Sequence, residues 1–399
     1  MTDTTRDAMT DTTRDAADLD AYRRGVRDWL ARADIPEVPL DLEGRFTVLR
    51  QWQKTLYEAG FVGIAWSEEA GGQGLSPLHQ LVFSEELARA GAPQPIGLIG
   101  VDVVGKSIET HGLDWQRERL LPRLLSGDDI WCQGFSEPES GSDLASLRTR
   151  ARIEGDEFVI DGQKVWTSWA HKAQWCALLA RTDPDAPKHR GISYILVDMT
   201  APGVTARPLV QMTGDDEFCE VFFEDVRVPV RNLVGGLNEG WAVAQDTLSH
   251  ERGSYTLRRR VEYEVAVEEA VRNVRDHAAA GGAEPPDRVL EQLGRSYTAV
   301  RGLEALTRRT IERQLAGEVP SPMDSVDKLS LNEVEQLLYA SVTDLLGPFR
   351  LAPDRAPFGL DGPRWVKEHY YSRAASIYGG TSQIQKNIIG ERLLGLPRG

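Results

Sequence analysis

The sequence has few cysteines and no long hydrophobic run. Its 399 residues include Cys132, Cys176 and Cys219, which are single and widely spaced. This spacing indicates neither a zinc site nor a disulfide scaffold, and a reducing compartment fits it best. No apolar run approaches the roughly 20 residues that cross a membrane, and the N-terminus lacks a hydrophobic signal segment. We therefore predict a cytoplasmic protein with no membrane partner.

An excess of positive charge is also absent. The 46 Lys and Arg residues oppose 61 Asp and Glu residues, which gives a formal net charge of −15. Nucleic-acid binding needs clustered basic residues, and the short run Arg258-Arg259-Arg260 is followed by Glu262 and Glu264. We interpret these arginines as a solvated helix face and predict no nucleic-acid partner. The length and the 41% of hydrophobic residues predict two or three packed units.

The predicted elements follow the order helical, β, helical. The octapeptide MTDTTRDA occurs twice in succession, and we predict that residues 1–17 form a disordered tail. Residues 18–129 have helical apolar spacing with Gly60 as a helix stop, whereas 130–236 contain short β-rich runs separated by turns at Asp161-Gly162 and Pro202-Gly203. Helical spacing returns in 237–399, with helices predicted over 247–277, 286–315, 324–346, 365–377 and 382–393. This order, which lacks a G-x-G-x-x-G after a strand, is not that of a doubly wound nucleotide-binding sheet.

Two segments of the β region could hold a ligand. Residues 134–144, GFSEPESGSDL, predict a strand that leads into an exposed loop of hydroxyls and backbone N–H groups, although an ordinary β-turn explains the same residues. Residues 162–168, GQKVWTS, place an indole beside two hydroxyls, which suits a flat heteroaromatic ring. A single Trp in the core is the alternative.

Together these two segments resemble the acyl-CoA dehydrogenase family. Its middle domain carries Thr/Ser-Glu-Pro-x-x-Gly-Ser-Asp and then Gly-x-Lys-x-Trp-x-Thr/Ser, and further likeness lies in residues 223–229, 234–241 and 377–389. The resemblance, which covers about residue 18 to the end, implies a multi-domain α+β fold. Its parts would be an N-terminal helical domain, a middle β-barrel or sandwich and a C-terminal four-helix bundle. It also implies FAD-dependent α,β-dehydrogenation of an acyl thioester on CoA or a carrier protein, with electrons passing to an electron-transferring flavoprotein or similar acceptor.

The resemblance also implies the residues of the site. The residues expected to bind the cofactor are Gln133, Phe135, Ser136, Gly141, Ser142, Trp166, Thr167, Ser168, Thr381 and Gln383. The residues expected to bind the substrate are Ser142, Arg252 and Gly380, although Arg252 could instead only pack or pair on its helix.

The catalytic base needs a separate argument. Many members place a glutamate where this chain has Gly379, but a second family position lies in a Leu-x-x-Glu-Arg segment and matches Glu251. A carboxylate enclosed with an apolar ligand has a raised pKa, as a general base requires. The alternative is an ordinary exposed helix glutamate.

Two family segments that normally reach the flavin of a neighbouring subunit are altered. Only Arg275 persists of an Arg-x-x-Phe-Gly segment, and residues 345–353 replace the usual Gln-x-x-Gly-Gly. Together with Glu251 on the long helix and Gly379-Gly380 at the C-terminus, these altered segments resemble the bacterial branch that acts on bulky thioesters, which includes heterotetramers with fewer flavins. A homodimer or homotetramer is the general expectation, and a heterotetramer is the other. Two further alternatives are a flavin oxidase or monooxygenase of the same fold and a low-flavin partner subunit.

Overall fold

Five helices and a π-helical segment precede the first strand. The computed structural model describes residues 4–283, 285–316, 318 and 321–397, without the side chains of 4–16 and 249–255. The helices are α1 (Thr4–Leu30), α2 (Leu42–Glu58), α3 (Pro77–Arg89), α4 (Gly105–His111) and α5 (Asp114–Ser126), and a π-helical segment (Ile99–Val104) leads directly into α4. The first helix begins inside the segment for which the sequence predicts disorder. Among the described residues, no helix combines the length and hydropathy needed to cross a membrane.

Local sequence explains the ends of α2. The Asp41 side chain accepts a hydrogen bond from the Gly44 backbone N–H at 2.7 Å, which caps the helix. At the other end Gly60 has a φ of +80°, a left-handed conformation that glycine adopts readily and that stops the helix as predicted. Between these ends Trp52 and Leu56 enter the core of the N-terminal domain.

The middle of the chain forms one eight-stranded mixed sheet. Its strands are β1 (Trp131–Gly134), β2 (Arg150–Glu154), β3 (Glu157–Ser168), β4 (Trp175–Arg181), β5 (Ile192–Asp198), β6 (Val204–Leu209), β7 (Phe218–Pro229) and β8 (Leu233–Val234). The order is β6-β7-β3-β2-β4-β5-β8, and β1 pairs with β4 in parallel. Successive side chains of β4 point to opposite faces of the sheet, as in any β-strand. Leu178 lies in the middle-domain core, whereas Ala177 and Leu179 join the core of the N-terminal helices.

One predicted turn of this sheet is wrong. Asp161 and Gly162 lie inside β3, where the pairing with β7 shifts register between Ile160 and Gly162. A Cβ on Gly162 would lie 2.6 Å from the Thr149 Cα, so close packing rather than a chain reversal requires this glycine. Pro202 and Gly203 do form the predicted turn.

In the described residues after β8, three long α-helices and two short ones follow. They are α6 (Gly240–Ala279), α7 (Asp287–Leu315), α8 (Met323–Leu346), α9 (Gly362–Tyr371) and α10 (Ser382–Ile388), after which π-helical residues Ile389–Leu393 follow. The predicted helix over 365–377 therefore ends early, at Tyr371. Val267, Leu303 and Leu338 form the centre of this helical core. The predicted order of helical, β and helical regions is confirmed.

The interpretation of Arg258, Arg259 and Arg260 as a solvated face is wrong. Their side chains are 15%, 13% and 4% exposed, because α6 is enclosed by α3, α7 and α8. Arg260 Nη1 pairs with Glu264 at 2.6 Å, and Arg259 Nη2 pairs with Glu335 at 2.9 Å. Their acidic partners include residues on other helices, which sequence spacing along α6 alone does not reveal.

Candidate functional site

A buried ion pair anchors the loop that follows β1. Lys164 on β3 is fully buried, and its Nζ lies 2.8 Å from Glu137 Oε1. The same ammonium donates a hydrogen bond to the Phe135 carbonyl at 3.0 Å. The Val165 N–H donates to the Ser136 carbonyl at 2.9 Å. The start of the loop is therefore fixed to β3 at three successive residues.

Glu137 also holds the far end of this loop. Its oxygens accept hydrogen bonds from the backbone N–H groups of Arg148 at 2.6 Å and Thr149 at 2.8 Å. Burial alone would raise the pKa of Glu137, but the charge and hydrogen bond of Lys164 and these two donors hold it below its usual value. The carboxylate is therefore charged and ties both ends of the loop together.

The tip of the loop is exposed. A turn joins Glu137 to Ser140, whose N–H donates to the Glu137 carbonyl at 3.0 Å, so the β-turn alternative describes the local backbone correctly. Beyond this turn Gly141 and Ser142 are exposed, and a Cβ on Gly141 would meet nothing within 4 Å. Asp143 pairs with Lys188 at 2.6 Å at the surface. A firmly anchored loop therefore presents an open glycine and a hydroxyl.

Trp166 lies at a second irregularity of β3. The pairing with β7 shifts register between Lys164 and Thr167, and Trp166 has a φ of +59°. Its indole is 62% exposed and touches Phe218 edge to face, with ring centroids 6.4 Å apart. A left-handed backbone at a bulky residue is strained, and such strain concentrates at functional sites. The alternative of a core Trp is wrong, because the bulge turns this ring outward.

The other predicted cofactor residues of the sheet do not share one environment. Ser168 is half-buried beside Trp166, whereas Thr167 between them is fully buried. Phe135 is also buried, and its ring packs against Tyr194 at 5.9 Å. Gln133 is half-buried on β1 and pairs with Ala177. The structure therefore brings Trp166 and Ser168 to the surface and directs Thr167 and Phe135 into the core.

The predicted C-terminal residues surround a two-glycine turn. Gly379 and Gly380 have φ values of +63° and +86°, and Gln385 donates to both of their carbonyls, at 3.0 and 3.2 Å. The Thr381 hydroxyl accepts from the Ile384 N–H at 3.2 Å and caps α10, and Gln383 is exposed. The sequence analysis did not select the buried Gln385 as a residue of this turn. Its position two residues after Gln383 could have indicated it.

The predicted base lies on α6, in a part whose side chains are outside the described residues. This applies to Glu251 and to Arg252. The nearest turns whose side chains are described hold Thr247, four residues before Glu251, and Arg258, seven residues after it. Thr247 is buried, and its hydroxyl is 2.6 Å from the Ser107 hydroxyl of α4. The described residues on either side of this part of α6 are therefore packed against other elements.

The altered cross-subunit residues lie on or next to the C-terminal helices α6 and α8. Arg275, near the end of α6, is 74% exposed and pairs with its neighbour Asp276 at 3.3 Å. Residues 347–351 form a 3₁₀ turn after α8.

The surface at Trp166 suits a flavin. The outward indole of Trp166 offers an aromatic contact, and the half-buried Ser168 two residues later carries a hydroxyl that can bond the edge of a flat ring. The open surface at Gly141 leaves room for close approach to the loop backbone. These features match the residue types that a flavin ring requires.

Comparison with known proteins identifies the family. Three family models match, namely the N-terminal domain of acyl-CoA dehydrogenase over residues 16–128, the middle domain over 132–226 and the C-terminal domain over 238–394. The chain belongs to the acyl-CoA dehydrogenase family. It is an acyl-CoA dehydrogenase, an oxidoreductase of a family that uses FAD.

Several relatives are similar over nearly their whole length. Acyl-CoA dehydrogenase IpdE1 of Mycobacterium tuberculosis is 40% identical over 96% of this chain and 98% of its own. Among solved structures, the Tcur3481-Tcur3483 steroid ACAD has a TM-score of 0.84 at 30% identity and covers 96% of this chain and 98% of its own. The ChsE4-ChsE5 complex from Mycobacterium tuberculosis has a TM-score of 0.80 at 32% identity, with the same two coverages.

Proposed function

We propose that Glu251 removes the α-proton of a bulky acyl thioester in this enzyme. The observation that carries the proposal is the C-terminal turn, where Gly379 and Gly380 leave no carboxylate at the other family position. The Gln385 side chain closes this turn from within, and a Cβ on Gly380 would lie 2.5 Å from its Nε2. A glutamate at the second position, on α6, is then the remaining base.

Different residues of the site bind the cofactor, bind the thioester and remove the proton. FAD supplies the acceptor for the β-hydride at its N5 atom. Trp166 and Ser168 would hold the ring, and Ser142 with its neighbouring N–H groups, on the loop fixed by Glu137 and Lys164, would bind the thioester. Glu251 would take the α-proton. Electrons leave to an electron-transferring flavoprotein or a similar acceptor.

We also propose that the chain assembles with a second acyl-CoA dehydrogenase chain. Two similar solved structures bear the names of two-component assemblies, and one of them is described as a steroid enzyme. In this chain Arg275 alone persists of the segment that normally reaches a neighbouring flavin, and residues 345–353 replace the other such segment. A bulky, ring-containing acyl group and a heteromer with fewer flavins than chains account for both features.

The variant Glu251→Gln tests the base. It should retain FAD and bind the thioester, but lose anaerobic bleaching of the flavin by about 10²-fold or more, the scale of a lost general base. Glu268→Gln is the matched control, because Glu268 lies on the same helix and pairs with Arg301 near the surface. Normal bleaching in Glu251→Gln would show that the base lies elsewhere.

Two alternatives give different outcomes in the same assay. A flavin oxidase or monooxygenase of this fold would keep its rate with oxygen in Glu251→Gln, because such chemistry needs no base there. A low-flavin partner subunit would purify with little FAD, and a co-purifying chain would restore bleaching. The altered residues 345–353 and Arg275 favour measuring the flavin-to-protein ratio first.

A further inference from the structure

A row of polar side chains on α8 faces the C-terminal turn segment, by which we mean residues 372–382. Lys328, Asn332 and Gln336 are spaced four residues apart, so they lie on one face of the helix. The segment, all of which the structure describes, contains one 3₁₀ turn (Ala374–Ser376) between α9 and α10 and otherwise no regular secondary structure. Contacts with neighbouring elements therefore have to fix where it lies.

Lys328 brings a buried charge to this segment. It is 1% exposed, and its ammonium donates hydrogen bonds to Asn332 Oδ1 at 2.8 Å and to the Ala375 carbonyl at 3.0 Å. The same ammonium lies 4.5 Å from the centre of the Tyr378 ring, a cation–π distance. A buried ammonium is unfavourable unless its donors are satisfied, so the structure favours keeping the carbonyl and the ring within its reach.

The other two members of the row contact both ends of the same segment. Gln336 Nε2 donates to the Ser372 carbonyl and to the Ser376 hydroxyl, each at 3.3 Å. Asn332 is buried, and its Nδ2 lies 3.5 Å from the Ser382 hydroxyl at the start of α10. One helix face therefore contacts the beginning, the middle and the end of the C-terminal turn segment.

The segment carries the two-glycine turn of the site. Tyr378, which the Lys328 ammonium contacts, directly precedes Gly379 and Gly380. Both glycines have positive φ, and glycine loses more backbone freedom than other residues when it is held in one conformation. Such a turn keeps one geometry when the residues on either side of it are fixed. Lys328 fixes Tyr378 on one side, and Gln385 bonds the two glycine carbonyls from the other.

We propose that Lys328 is a positioning residue for the dehydrogenation, which holds the Gly379-Gly380 turn in the conformation that accepts the thioester. This rests on the proposed function and on the expected contact of Gly380 with the substrate, which make the turn part of the site. Lys328 acts through the Ala375 carbonyl and the Tyr378 ring and takes no part in the proton transfer. A purely structural lysine would stabilise the fold without changing the rate of the folded enzyme.

The limiting rate of flavin reduction separates these two roles. The FAD-loaded enzyme is mixed anaerobically with saturating butanoyl-CoA, octanoyl-CoA or cholanoyl-CoA, and the rate is expressed per bound flavin. The variants are Lys328→Met, which removes the charge from a side chain of similar length, Tyr378→Leu, and the two combined. Each is measured about 20 °C below its own melting temperature, where the protein remains folded. Ser341→Ala is the matched control, because Ser341 is buried on the same helix but its hydroxyl lies 2.9 Å from the Ser296 hydroxyl of α7.

The expected result is a loss of rate without a loss of fold. Lys328→Met should reduce its flavin about 10- to 10²-fold more slowly, the scale of a displaced reacting group. The combined variant should stay within about 3-fold of the slower single variant, because residues in contact act as a unit. Ser341→Ala should keep the rate of the unaltered enzyme even if its melting temperature falls as far as that of Lys328→Met.

Amide hydrogen exchange, followed by mass spectrometry, tests the same inference without catalysis. Residues 372–382 should exchange faster in Lys328→Met than in the unaltered enzyme, whereas α7 should keep its protection. Added thioester should slow the exchange of the segment in the unaltered enzyme, and this slowing should be weaker in Lys328→Met.

Three outcomes would overturn the inference. They are a rate in Lys328→Met within about 3-fold of the unaltered rate, an equal loss in Ser341→Ala, and an unchanged exchange of residues 372–382. If Lys328→Met does not fold, Gln336→Met takes its place in both measurements, and the same outcomes decide. Normal bleaching in Glu251→Gln would end the proposed base but leave the effect of Lys328 as measured. If no thioester reduces the flavin, the proposed function fails, and the exchange with and without thioester decides the role of Lys328.

Discussion

Replacing Lys164 by Met should destabilise the protein and release FAD. The substitution removes the cation but keeps an unbranched side chain of similar length, so Glu137 remains as a carboxylate that is 7% exposed and lacks its ion-pair partner. Removing one member of a buried pair costs about 3–5 kcal/mol. The two backbone donors from Arg148 and Thr149 persist, which places the expected cost toward the lower end of this range.

This cost converts into a measurable shift. A cooperative unit of 399 residues has an unfolding entropy of roughly 0.8 kcal/mol/K, so the melting temperature should fall by about 4–6 °C. The assay follows circular dichroism and the rise of FAD fluorescence during heating. Because Glu137 fixes both ends of the loop, FAD release should precede global unfolding in Lys164→Met.

Lys188→Met is the matched control. Lys188 pairs with Asp143 of the same loop, but the two side chains are 49% and 61% exposed. Exposed pairs contribute about 0–1 kcal/mol, so the melting temperature should change by about 1 °C or less. The reasoning would be refuted if Lys164→Met had the melting temperature of the unaltered protein and kept its FAD. It would also be refuted if Lys188→Met lowered the melting temperature as much as Lys164→Met does.

Two further predictions concern Trp166 and Asp327. Trp166→Ala should weaken FAD retention and change the flavin spectrum, because it removes an outward ring, and an identical visible spectrum would contradict the site. Burial, against the hydrogen bond of Thr310 and the charge of Arg313, raises the pKa of Asp327 to about 6. Its stabilising contribution is therefore complete below about pH 4 and lost as the pH rises through about 6. Asp327→Asn should melt at a higher temperature than the unaltered protein at pH 7.5 and together with it at pH 4, and a pH-independent difference would contradict this.

The spacing of apolar residues predicted the helical and β regions better than it predicted the contacts between them. The α2 end at Gly60 and the three long C-terminal helices followed from apolar spacing and one left-handed glycine, which are local signals. The conformation at Asp161-Gly162 did not follow from the sequence, because this dipeptide occurs both in turns and in β-bulges. Only the close packing of Thr149 against Gly162 distinguishes the two. The burial of Arg259 depends on Glu335, a residue on another helix.

For the site too, the sequence indicated the residue types but not the directions and pairings of the side chains. The residue types around Trp166 indicated an aromatic surface, but its outward direction comes from the register shift against β7. The burial of Thr167 follows from the same shift. Glu137 and Lys164 were visible in the two motifs, yet nothing in their spacing showed that they form one buried pair.

The pairing of β1 has a consequence for the order in which the chain can fold during synthesis. Residues Trp131–Gly134 of β1 pair with Trp175–Leu178 of β4. During synthesis β1 therefore has no β4 partner until these later residues have been added. The hairpin of β2 and β3 forms from neighbouring residues in the meantime, because local contacts close first. The segment from Phe135 to Thr149 is thus bounded by a strand without its β4 neighbour until residue 178 has emerged. A chain that stalls before that point exposes the N-terminal apolar core along β1, and chaperone binding to such stalled chains should end once β4 is complete.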